Sequence, residues 1–285
     1  MLGAIIGDMC GSRYEFDNEK DISRLVMFKE GSFPTDDSIM TVAVARALMD
    51  TYGSDDRKIK TALVDAMHYY GHIFPHAGYG GRFSDWLRTC NRKPYNSWGN
   101  GSGMRVAAVG WMYESLEETL HAAELSAVVT HDHPEGIKGA QAIAAAIFLA
   151  RNGESKEEIR QFIEDNFYAL DFTLDGIRPG YYFDVSCQGS CPQAIEAFLE
   201  GESFVDVILK SISIGGDSDT IAAMAGAIAE AYYGIPQDTA QKACSLLEDH
   251  VSKGTLYHDS VLMDALESFW RWLERRGMKS PRAVR

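Results

Sequence analysis

The sequence predicts an all-α chain. No stretch alternates at period two for long enough to build a sheet, apolar residues recur at helical spacing in segment after segment, and two segments open on Ser-x-x-Glu capping boxes. About a dozen helices in one compact bundle follow. No linker, repeat or low-complexity stretch divides the chain, so residues 1–285 are read as a single domain.

Residues 2–12 carry Leu2, Ile5, Ile6 and Met9 on one side and Gly3, Gly7 and Gly11 on another. Glycines four apart let a neighbouring backbone come close, which marks this segment as the central helix. Asp8 is read there as a hydrogen-bonded core acid. Beyond it Glu15 stands between Tyr14 and Phe16, and a carboxyl in apolar surroundings acquires a raised pKa suited to proton transfer. Residues 17–33 have no period. Pro34 with Thr35 or Asp36 then starts a helix whose apolar positions are Ile39, Val42, Ala43, Ala45 and Leu48.

Residues 55–70 repeat the amphipathic pattern through Ile59, Leu63, Ala66, Met67 and Tyr70. The longest irregular region, 71–102, contains a short helix around Arg82, Asp85 and Trp86, and loops of that length are usually functional. It ends in Ser97-Trp98-Gly99-Asn100-Gly101-Ser102-Gly103, ahead of a helix expected over 106–113. Such glycines present backbone N–H groups as an anion cradle, although the Lys-Ser/Thr that ends a P-loop is missing. Ser115 caps a helix to residue 129, and Thr130-His131-Asp132-His133-Pro134 breaks it. His131 and His133 lack further zinc ligands, so they are read as hydrogen-bonding groups, His131 as a substrate contact.

Residues 135–150 form a buried alanine-rich helix and 155–167 another, opened by a second capping box. A loop over 168–189 holds Cys187, read as packed. Helices at 192–199, 203–213, 221–233, 238–250 and 259–276 follow, with Leu262, Leu266, Phe269 and Leu273 as the core face of the last, and 278–285 as a frayed basic tail.

Two acidic clusters stand out. Gly215-Gly216-Asp217-Ser218-Asp219-Thr220 opens the helix over 221–233, and Thr35-Asp36-Asp37-Ser38 opens the one after Pro34. One acid caps a helix, whereas two per turn exceed what capping needs. If the turns converge, four aspartates and two threonines surround one point. Their repulsion would be severe without cations, and hard oxygen ligands suit Mg²⁺, Mn²⁺ or Ca²⁺.

The formal charge of −14 and pI near 5.0 argue against a general nucleic-acid partner. The five cysteines form no CxxC pair and read as reduced thiols. The first residues show no basic leader, and no run approaches about 18 apolar residues, so no membrane contact is expected and the protein is read as cytoplasmic.

Taken in order, Gly3 to Asp8, Glu15, Thr35-Asp36-Asp37, Gly99 to Arg105, Thr130-His131 and Gly215 to Thr220 resemble the ADP-ribosylglycohydrolase family over nearly the whole chain. The resemblance implies an orthogonal all-α bundle with a binuclear Mg²⁺ or Mn²⁺ site. It implies Thr35, Asp36, Asp37, Asp217, Asp219 and Thr220 as metal ligands, Glu15 as a mobile carboxylate beside them, and Glu15, Asp36 and Asp217 as the catalytic carboxylates. Ser97, Trp98, Gly99, Asn100 and Gly101 would lie along the ADP moiety, with His131 near its distal end. The implied reaction cleaves the C1″ glycosidic bond between ADP-ribose and a protein or small-molecule acceptor, an ADP-ribosylated base included. A two-metal nucleotide phosphohydrolase and a non-catalytic, crystallin-like ADP-ribose binder stay open as alternatives.

Overall fold

The computed structural model describes residues 1–252 and 259–278, and the expected basic tail lies from residue 279 onward outside them. Among the described residues every regular element is helical: α1 Leu2–Gly11, α2 Asp36–Thr51, α3 Asp56–Ile73, α4 Gly81–Arg88, α5 Gly101–Met104, α6 Val109–Met112, α7 Leu116–Val128, α8 Pro134–Asn152, α9 Lys156–Asn166, α10 Leu174–Ile177, α11 Cys187–Glu200, α12 Phe204–Ser213, α13 Ser218–Tyr233, α14 Gln237–Ser252 and α15 Asp259–Arg275. None is long and apolar enough to cross a membrane. All five cysteines are free, and Cys187 is packed as expected.

Side-chain caps set most helix starts. Thr35, Asp55, Ser115, Ser155, Ser186 and Ser203 each accept an N–H of the first turn, and Ser155 with Glu158 completes a reciprocal box. The loop expected over 168–189 carries the short helix α10, capped by Thr173, and two further readings change. α11 begins at Cys187 and not at Pro192, because Ser186 caps it and Pro192 is carried inside the helix. Of the helix expected over 106–113 only the short turn α6 forms, and a separate turn, α5, precedes it inside the glycine loop.

The centre of the molecule is the pair α1 and α13. All ten residues of α1 are buried, as is α13 from Ser218 through Glu230. Their backbones touch: a Cβ on Gly7 would stand 1.9 Å from the Ala222 carbonyl oxygen, and one on Gly11 2.4 Å from the Asp219 Cα. That contact carries the end of α1 to the acidic start of α13. α12, α11 and α8 cover α13, and α2 lies against α1.

Candidate active site

Asp8 joins the first acidic turn to the core. Its carboxylate accepts from the Thr35 N–H at 2.8 Å, the Thr35 hydroxyl at 2.8 Å, the Ser38 N–H at 3.1 Å and the Ser38 hydroxyl. It thus caps α2 from another helix while Thr35 caps it locally. The sequence reading of a satisfied core acid holds, but it did not bring Asp8 to the other carboxylates. Carboxylate oxygens of Asp8, Asp37 and Asp219 lie within 4.8 Å of one another, and so do those of Glu15, Asp217 and Asp219.

The second turn is shaped by Gly215 and Gly216 at φ of 77° and 74°, where a side chain would be strained. It leaves Asp217 as the residue preceding α13 with no cap bond of its own, so its carboxylate is free to face inward. Thr220 donates to Asp37 Oδ2 across the gap at 3.1 Å, and the two distant acidic turns meet. Asp36 falls outside both compact carboxylate groups. Its N–H donates to the Ala77 carbonyl at 2.8 Å, and its Oδ1 lies 3.3 Å from where a Cβ on Gly78 would stand.

Among the described residues no ion pair involves any of these six carboxylates. Burial therefore raises each of them, and mutual repulsion adds to the effect on most. Asp8 is raised by burial to about 6 against its own hydrogen bonds. Glu15 is raised to about 7 by burial and then by Asp217. Asp36, Asp37 and Asp219 stand well above the ordinary range, by burial first and then by neighbouring aspartates. Asp217 is raised by burial while the Asn100 amide opposes the rise. Asp37 Oδ1 is buried without a hydrogen-bond partner. An orphan carboxylate oxygen inside an all-oxygen, cation-free cluster fits hard divalent cations.

Asn100 ties this cluster to the glycine loop. Its amide donates to Asp217 Oδ2 at 2.6 Å and to the Ser190 hydroxyl at 3.1 Å. The loop is less open as an anion cradle than its glycines predict. The Gly99 N–H donates to Ser97 Oγ at 3.1 Å and the Asn100 N–H to the Val185 carbonyl at 2.8 Å, through an antiparallel bridge between Gly99 and Ser186. Trp98 remains 48% exposed and meets His133 edge-on at 5.6 Å.

His131 sits beneath this loop, its Nε2 3.1 Å from where a Cβ on Gly101 would stand. Buried Arg105 donates to the Thr130 hydroxyl at 2.8 Å, and that oxygen lies 2.7 Å from His131 Nδ1. The hydroxyl and Nδ1 share one hydrogen bond, whose direction follows the imidazole tautomer. Burial and the nearby Arg105 and Arg82 guanidiniums hold this histidine well below its ordinary pKa. It is a neutral imidazole whose Nε2 faces the loop. The sequence pointed to His131 but not to the Arg105–Thr130 pair, which only the fold assembles.

Fold and site together define a class, the ADP-ribosylglycohydrolases. The chain belongs to that family, whose profile matches residues 1–261. It is 29% identical to ADP-ribosylhydrolase ARH3 of Homo sapiens over 87% of this chain and 89% of that one. It is 28% identical to ADP-ribosylarginine hydrolase Tri1 of Pseudomonas putida over 82% of this chain and 70% of that protein. A solved structure described as an ADP-ribosylglycohydrolase-related protein complex matches with TM-score 0.66, 95% coverage of both chains and 21% identity, which speaks to the fold.

Proposed function

We propose that the protein hydrolyses the C1″ glycosidic bond between ADP-ribose and an acceptor, using two divalent cations, Mg²⁺ or Mn²⁺. The observation that carries this reading is the meeting of Asp37, Asp219 and Asp8 with Glu15 and Asp217 beside the Ser97–Gly101 loop. Thr35, Asp36, Asp37, Asp217, Asp219 and Thr220 would hold the cations, with Asp8 bracing the first turn. Bound cations supply Lewis-acid polarisation and a template for sugar hydroxyls.

The chain's own groups do the rest. Glu15, with a pKa near 7 and partial exposure, takes the proton of an attacking water or returns one to the leaving acceptor. The aspartates steady positive charge as the anomeric carbon becomes oxocarbenium-like. Asn100 fixes the Asp217 carboxylate, and Ser97, Trp98, Gly99, Asn100, Gly101 and the neutral His131 imidazole line the place of the ADP moiety. Substrates are ADP-ribosylated proteins or small molecules met in the cytoplasm.

The test is product analysis on a panel of ADP-ribosylated acceptors with Mg²⁺ and with Mn²⁺. Free ADP-ribose that disappears with excess chelator is the expected result. Release of AMP or phosphate would assign a phosphohydrolase instead, and binding of ADP-ribose without turnover of any acceptor would assign a binding protein.

A further inference from the structure

Glu15 belongs to an irregular loop and faces two other carboxylates, so repulsion alone would drive it outward. What opposes this is a side chain three residues along. Asn18 Oδ1 accepts the Gly216 N–H at 2.8 Å, and its Nδ2 shares its hydrogens among the carbonyls of Tyr14, Glu15 at 3.0 Å and Gly216 at 3.3 Å. Gly216 can present both its N–H and its carbonyl to one amide because it holds a left-handed conformation. Its other side is closed by Tyr181, whose ring carbon would lie 2.6 Å from a Cβ there. Lys20 fastens the same strap to the carbonyls of Arg178 and Tyr181 at 2.7 and 2.6 Å.

We infer that Asn18 is a positioning residue for the reaction, a clamp that locks the Glu15 loop to the Gly215–Gly216 turn and sets the Glu15 carboxylate against Asp217 and Asp219. This deepens the proposed function and rests on it for the role of Glu15. Asn18 is itself solvent-exposed, so it adds nothing to the core and its replacement leaves the fold standing.

Asn18→Ala should lower kcat by about 10- to 100-fold with KM changed less than about twofold, the scale of a catalytic group displaced by about an ångström. Mn²⁺ affinity should hold within about threefold, on the same ground that the cation ligands keep their places. In the metal-free protein the Gly216 amide should exchange its hydrogen at least about tenfold faster, because that donor loses its acceptor. In a Glu15→Gln background the same substitution should change kcat by less than about twofold, since the two act through one group. An equal loss of kcat in both backgrounds, a loss confined to KM or to Mn²⁺ affinity, or an unchanged Gly216 exchange rate would overturn the inference. Wild-type turnover in Glu15→Gln would strike instead at the proposed function, while Gly216 exchange still tests the clamp.

Discussion

Stripping the cations with a chelator should make the protein less stable as the pH rises from 5 to 8. Asp8 gives the scale. Its carboxylate is fully buried, and its pKa stands at about 6 when folded against an ordinary 3.8. A folded-state pKa above the unfolded one means that the folded form binds the proton more tightly. Its stabilising contribution is complete below 3.8 and is lost as the pH climbs through 6. A shift of about two units corresponds to about 3 kcal/mol in full. At pH 5 the folded form is favoured about tenfold by this proton, about 1.4 kcal/mol, and at pH 8 by nothing. Asp36, Asp37 and Asp219 are raised in the same direction and steepen the loss. Urea unfolding in chelator at the two pH values measures the difference. Asp8→Asn should shrink it by about 1.4 kcal/mol, because an amide oxygen at the Oδ2 position keeps three of the four donors and does not titrate. Excess divalent cation should reverse the slope, since it binds the ionised carboxylates. A chelated protein at least as stable at pH 8 as at pH 5 would refute the reasoning.

Three further outcomes follow from the same geometry. Gly7→Ala would press a methyl into the Ala222 carbonyl and should destabilise the protein by about 3 kcal/mol or more in chemical denaturation, as an overpacked backbone contact must separate α1 from α13. Glu15→Gln should keep the wild-type unfolding midpoint and lower ADP-ribose release by about 10²-fold or more, the share of a general acid–base group. Asn100→Ala removes a hydrogen bond to a buried carboxylate, and a cost of about 1.5–3 kcal/mol should appear as a tenfold or greater weakening of cation binding in calorimetry.

The parts of the site legible in the sequence are those built by neighbouring residues. Thr35-Asp36-Asp37 and Asp217-Ser218-Asp219-Thr220 announced themselves because a helix start needs one acid and each turn has two. The stripe of Gly3, Gly7 and Gly11 announced a backbone contact, though not its partner. What stayed hidden depends on residues far apart in the chain. Asp8 looked like an ordinary core acid because its four donors come from 27 and 30 residues away. Asn18 lay in a segment without period, and its partner Gly216 is 198 residues distant. The glycine loop promised more free N–H groups than it has, since no local pattern shows that the Val185–Cys187 strand of chain will bridge to it. Pro192 misplaced the start of α11 because proline favours a first turn, and Ser186 had already supplied the cap.

Asn100 has one foot in each half of the proposed pocket, on Asp217, which would face the cations, and within the loop that would face the nucleotide. Two guests sharing such a host influence each other by equal amounts: whatever cations do for the nucleotide's affinity, the nucleotide must do for theirs. Were the coupling favourable, an enzyme short of cations would retain them best when substrate is abundant.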